Sequence, residues 1–254
     1  MGVAAIRRTW FLPRTDATWD RIRRNQTLRV GMDATYPPFE SVNPAGQLEG
    51  YDVDLARELA RRWGVRAEFV NAHLDGLYDA LRADKCDVLL SALPYDETMT
   101  RDVVYSPSYF NAGLLLVVRA DERSIQSVNG LDSRTVGVEV GAAAHLEARR
   151  LLEQARIPLR IATYATAAEA LQALRSGAVN AAIVDSITAY GFAREPGGVR
   201  PLKKYLTDDQ YVIAMRPGSG YLWKRSADEL ARMKQDGFLD TLQERWFLGV
   251  PSYE

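Results

Sequence analysis

The sequence predicts an α/β protein of two lobes, and three observations carry that expectation. Strand-like and helix-like segments alternate along the chain with short links, an order that builds parallel sheets covered by helices. The order of the first half recurs in the second, down to a lexical echo. Ala80-Leu81-Arg82-Ala83-Asp84-Lys85-Cys86-Asp87-Val88 matches Ala173-Leu174-Arg175-Ser176-Gly177-Ala178-Val179-Asn180-Ala181, each a helix end running into a strand. Two continuous apolar runs, Leu114-Leu115-Leu116-Val117-Val118 and Tyr211-Val212-Ile213-Ala214-Met215, lie where the chain is expected to cross between lobes.

Regular structure is expected from a strand at 28–33, closed by a turn at Tyr36-Pro37-Pro38-Phe39. Asp52 and Asp54 open a helix whose apolar positions Leu55, Leu59 and Trp63 recur at helical spacing, and Gly64 ends it. A strand at 67–70, a helix over 77–83 and a strand at 88–91 follow. The second half opens on a strand at 135–139, then a helix over 144–155 and a strand at 159–163. After the second apolar run come a turn at 216–220 and helices over 221–235 and 238–246, broken at Asp236-Gly237. The expected division is a basic N-terminal extension at 1–26, a first lobe of 27–117 with 211–254, and a second lobe of 118–210.

Composition narrows the function. The 254 residues are 47% apolar and 26% charged with a net charge of -1, which gives no basic excess to hold nucleic acid. The single cysteine, Cys86, lies in an apolar run and reads as a small buried hydrophobe. One cysteine and two histidines, His73 and His145, give neither an intrachain disulfide nor a zinc-ligand pattern. No cofactor or metal is expected. No run of about 18 apolar residues is present, and the arginine-rich stretch up to Val30 lacks the apolar core of an export signal.

Gly50-Tyr51-Asp52-Val53-Asp54-Leu55-Ala56-Arg57-Glu58-Leu59-Ala60 is similar to the signature of the family 3 extracellular solute-binding proteins of ABC importers. Supporting pieces are Tyr36-Pro37-Pro38-Phe39-Glu40, Tyr105-Ser106-Pro107-Ser108-Tyr109, Val136-Gly137-Val138 and Lys234-Gln235-Asp236-Gly237-Phe238, in an order that covers residues 27–249. The resemblance implies a type II periplasmic-binding fold with two interlobe crossings. It further implies an extracytoplasmic monomer that closes by a hinge on a small polar solute and delivers it to a membrane permease.

In open α/β sheets ligands sit beyond the carboxyl ends of the strands. That rule, with the resemblance, nominates Asp33, Tyr36, Phe39, Leu74, Ser91, Ala92 and Leu93 in the first lobe, and Glu139, Gly141, Ala143 and Asp185 in the second. Asp185 aligns with the acid that holds a ligand's α-amino group in the family; the competing reading is an N-cap for the following helix. The arginine that grips the ligand carboxylate in the family is replaced by Met99. Arg101 shares its face only if the segment is extended; on a helical turn it points away. Ala142 and Ala143 stand where relatives often carry hydroxyls, whereas Asp33 and Glu139 each follow a strand glycine by two residues and add acid. With Tyr36, Phe39 and Tyr95 supplying aromatic faces, the expected solute is an amino acid or another amine-bearing compound. The competing view of Glu139 is a partner for a nearby arginine. The alternatives in function are a cyclohexadienyl-dehydratase-like enzyme on the same fold and a ligand-sensing receptor.

Overall fold

The computed structural model describes residues 15–195 and 198–248. The chain forms two compact units: the first comprises the described residues up to Pro107 together with Val212–Phe238, and the second Ser108–Tyr211 with the described residues from Leu239 onward.

Each unit is built on a five-stranded mixed sheet of the same plan. In the first, Thr27–Met32 lies between Arg66–Asn71 and Val88–Leu89, parallel to both. Ala214–Met215 then pairs antiparallel with Val88–Leu89 and with Val104–Tyr105. In the second, Thr135–Glu139 lies parallel between Arg160–Tyr164 and Ala181–Asp185, and Leu114–Arg119 runs antiparallel to Ala181–Asp185 and to the edge strand Val199–Tyr205. The expected all-parallel pairing therefore holds for three strands of each sheet. The crossing strand enters its sheet from the far end and must run against its neighbours.

Leu114–Arg119 shows why a continuous apolar run makes a central strand. Successive side chains point to opposite faces. Leu114, Leu116 and Val118 accordingly join one buried cluster with Val136, Val138 and Ile183, while Leu115 and Val117 join another with Leu171, Leu174 and Val184. Helices Ala143–Glu153 and Ala167–Arg175 supply the apolar stripes that cover these faces.

The lobe boundaries differ from those expected. The cut at 117/118 would split Leu114–Arg119, which pairs only within the second unit. The run at 211–215 is not one strand: Gln210–Tyr211 pairs with Phe110–Asn111, and Ala214–Met215 belongs to the other sheet. Residues from Leu239 group with the second unit, because the Phe247 ring stacks on Phe110 at 5.0 Å and Arg194 donates to the Trp246 carbonyl at 3.1 Å.

Residues 1–14 of the expected extension lie outside the described residues. Its remainder is an element of the first unit: Ala17–Asn25 is a helix that buries Thr18, Trp19 and Ile22. Trp19 packs edge-on against Trp63 at 5.3 Å and against Tyr221 at 5.8 Å. The Asp16 carboxylate caps two helices at once, accepting from the Trp19 N–H at 2.8 Å and from the Tyr221 and Leu222 N–H groups at 2.8 Å each.

Candidate functional site

In the first unit the strand ends bring four of the eight expected residues, Asp33, Leu74, Ser91 and Ala92, into hydrogen bonds with one another or with the acids Glu40 and Asp52. Asp33 follows Thr27–Met32 and is 8% exposed. Its Oδ2 accepts the Leu74 N–H at 2.7 Å, its Oδ1 accepts the Thr35 hydroxyl at 2.8 Å, and its own N–H donates to Ser91 Oγ at 3.0 Å. Ser91 Oγ donates onward to Glu40 Oε1 at 2.7 Å. Ala92 adopts a left-handed φ of 44° and donates its N–H to Asp52 Oδ2 at 2.6 Å.

Other expected contacts belong to the core. Phe39 has no exposed surface; it stacks on Tyr36 at 5.7 Å and meets Tyr51 edge-on at 5.8 Å. The aromatic side chains presented outward are those of Tyr36, which is 45% exposed, and Tyr95, which is 51% exposed; Leu74 is 53% exposed. Leu93 is buried against Leu77, Leu81 and Val103.

Met99 ends the short 3-10 helix Glu97–Met99 and packs against that same cluster. The segment is a helical turn rather than an extended one, so Arg101 does not share the face of Met99. Arg101 is exposed, and no hydrogen bond or ion pair engages it among the described residues. Sequence reasoning missed Glu40 and Asp52 as site residues, although both stand inside the motifs that carried the resemblance. Burial of Glu40, with Asp52 beside it, pushes its carboxyl up to about 10 despite the Ser91 hydrogen bond. Burial likewise pushes the Cys86 thiol up to about 11, consistent with an inert core cysteine.

In the second unit, the parallel register of Val136 opposite Ala181 and Gly137 opposite Ala182 puts Glu139 and Asp185 at the same carboxyl-terminal end of the sheet. Asp185 caps helix Ser186–Ala193, its Oδ1 accepting the Thr188 N–H at 2.8 Å and its Oδ2 the Thr188 hydroxyl at 2.7 Å. The N-cap reading thus describes how the carboxylate is held, and Thr188 is the partner the sequence did not nominate. Glu139 Oε2 accepts the N–H of Ala167, the first residue of helix Ala167–Arg175, at 3.0 Å; no ion pair to Glu139 is found among the described residues. Gly141 takes a positive φ of 78° and donates to His145 Nδ1 at 3.2 Å. Ala143 begins helix Ala143–Glu153, whose N-cap Ala142 offers no side-chain oxygen.

Two cavities, of about 640 and 330 Å³, lie within the second unit along the strand Val199–Tyr205, and none of the twelve nominated residues lines them. No group of three or more His, Cys, Asp or Glu side chains among the described residues is placed to hold a metal ion. No helix among them is long and apolar enough to cross a membrane.

Comparison with known proteins places this geometry. The sequence profile of the bacterial extracellular solute-binding proteins, family 3, matches residues 28–249. The L-cystine-binding protein TcyJ of Escherichia coli K12 is 27% identical over 230 residues, covering 90% of this chain and 85% of the relative. The structure of an ancestral cyclohexadienyl dehydratase has a TM-score of 0.81 at 29% identity, covering 93% of this chain and 98% of that one. An ancestral cationic amino acid solute-binding protein has a TM-score of 0.64 at 33% identity, covering 90% and 98%.

Proposed function

Because the chain belongs to the bacterial extracellular solute-binding proteins, family 3, and has their two-unit type II periplasmic-binding fold, we propose that it is an extracytoplasmic, monomeric binder of an amino acid or other amine-bearing solute. It captures the solute by hinge closure and presents it to the permease of an ABC importer.

The observation that carries the choice of solute is Asp185. Its two oxygens are oriented by Thr188, yet a carboxylate offers about four acceptor sites and Thr188 uses two. An ammonium group reaching the remaining sites gains a charge-assisted hydrogen bond. Glu139 at the same end of the sheet and Asp33 in the first unit add acidic character, and the exposed Tyr36 ring offers a face to a cation. Arg101 stands free in solvent, so the clamp for a ligand carboxylate is the weaker half of the recognition. A solute identified by its amine fits these residues better than one identified by its acid.

Titration calorimetry with L-arginine, L-histidine, L-cystine, putrescine and succinate tests this. Tight binding of an amine-bearing member, lost in Asp185→Ala, is expected; tight binding of succinate, which has no amine, with none of the others overturns it.

The structural likeness to an ancestral cyclohexadienyl dehydratase supports a second reading, an enzyme on the same scaffold. Turnover of prephenate or arogenate by the purified protein would favour that reading over a binder.

A further inference from the structure

Behind the strand ends of the first unit lie two carboxyl groups that face no solvent. Glu40 begins the strand Glu40–Val42 and is 1% exposed; Asp52 is the second residue of helix Tyr51–Arg62 and has no exposed surface. The Asp52 N–H donates to the Phe39 carbonyl at 2.9 Å, which sets the two acidic residues side by side. Two carboxylates offer only acceptors, so a hydrogen bond between them requires a proton on one. Like charges buried in contact do not both ionise.

The surroundings decide which group keeps the proton. Asp52 stands in the first turn of a helix, where the aligned peptide dipoles favour an anion, and it accepts the Ala92 N–H at 2.6 Å. Both effects favour its charged form. Glu40 faces the acidic groups Asp52 and Asp33, and its polar neighbour is the Ser91 hydroxyl. The donors then run in one direction. The Asp33 N–H donates to Ser91 Oγ, Ser91 donates to Glu40 Oε1 and the Ala92 N–H donates to Asp52 Oδ2, so a proton kept by Glu40 is the donor that joins the two ends.

We propose that Glu40 is a neutral carboxylic acid acting as a positioning residue: with ionised Asp52 it clamps Ser91 and the left-handed Ala92 in the geometry from which the first unit meets solute. This rests on reading these strand ends as solute contacts. It also reassigns Ser91, whose hydroxyl is committed to Glu40 and so orients the loop rather than donating to the solute. Ala92 is an L residue at a φ of 44°, a conformation that persists only where the surroundings over-determine it. The Asp52 hydrogen bond is such a constraint.

The test uses the full chain labelled for NMR, with Glu40→Gln, Glu40→Leu and Asp52→Asn variants. Glutamine reproduces both the acceptor for Ser91 and a donor toward Asp52, whereas leucine removes both. The Glu40 carboxyl carbon is expected at its protonated shift at pH 7. The Ala92 amide is expected at a downfield position kept in Glu40→Gln and lost in Asp52→Asn. Calorimetry with L-arginine, L-histidine and L-cystine should show affinity cut by about tenfold or more in Glu40→Leu and rescued in Glu40→Gln, as for a buried polar group left without its partner. A charged Glu40 at pH 7, or a Glu40→Gln variant as impaired as Glu40→Leu, overturns the proposal. The NMR readouts need no solute, so failure of the wild type to bind all three amino acids refutes the amino-acid reading and is distinguishable from failure of this one.

Discussion

The carboxylate of Asp87 is held by Arg29 from two directions: the Arg29 main-chain N–H donates to Oδ2 at 2.7 Å and its guanidinium donates to Oδ1 at 3.0 Å. Arg21, from helix Ala17–Asn25, completes the grip on Oδ2. Asp87 has no exposed surface, so these bonds replace the water it gave up. They tie the N-terminal helix, the first strand and the turn before Val88–Leu89 into one unit.

Replacing Asp87 by alanine removes the acceptor shared by two partly buried guanidinium groups and the Arg29 N–H, although Arg29 keeps the Asp84 carboxylate and Arg21 the Thr27 carbonyl. Removal of one partner from a buried ion pair costs about 3–5 kcal/mol. Arg21 and Arg29 keep roughly a fifth of their side chains exposed, so solvent screening brings the expected loss to the lower end, about 3 kcal/mol or less. Urea denaturation of wild type and Asp87→Ala measures it; a loss below about 1 kcal/mol would show that water replaces the carboxylate without penalty.

Glu40 makes stability fall with alkalinity. Its carboxyl is raised in the folded protein to about 10 by burial and by Asp52, so the native state holds a proton that the unfolded chain releases in the ordinary carboxylate range. The contribution is complete below that range and is lost progressively as pH rises toward about 10. The melting temperature of the wild type is therefore expected to decline between pH 7 and pH 10 more steeply than that of Glu40→Gln. Parallel curves for the two proteins would contradict this sign.

Asp185 has a structural duty that can be separated from solute contact. Asparagine still caps helix Ser186–Ala193, whereas alanine removes the cap at a cost of about 1 kcal/mol. Asp185→Asn should keep nearly wild-type stability yet bind an amine-bearing solute at least about tenfold more weakly, since the charge-assisted bond is lost. Calorimetry and thermal melting on the same preparations check both halves.

Gly50 precedes helix Tyr51–Arg62 with a φ of 140°, and a Cβ there would lie 2.0 Å from the Phe39 carbonyl oxygen. Backbone cannot yield as a side-chain tip can. Gly50→Ala combines a disfavoured dihedral with this clash and should destabilise the first unit by more than about 2 kcal/mol. Chemical denaturation would show it, and a near-neutral result would mean that the Phe39–Gly50 approach relaxes freely.

Much of the fold was legible because its signals are local. Helix Tyr51–Arg62, the strand Thr135–Glu139 and the buried run Leu114–Arg119 announce themselves by spacing that any chain segment expresses by itself. Helix Ala17–Asn25 did not, since its arginines hide a narrow apolar side formed by Trp19 and Ile22. The edge strand Val199–Tyr205 contains Pro201 and two lysines, which a strand tolerates at a sheet edge and which erase its pattern. The family and its acidic strand ends came from motif order, as did the departure at Met99.

The sequence by itself determined the two-fold repetition, the α/β alternation and the set of carboxylates near the strand ends. Tertiary structure decided what each carboxylate does. Asp33 and Ser91 stand 58 residues apart in the chain, as Glu40 and Ser91 stand 51 apart, yet they share one hydrogen-bonded group. Protonation and capping depend on burial and on partners brought from distant segments, and no local pattern encodes those.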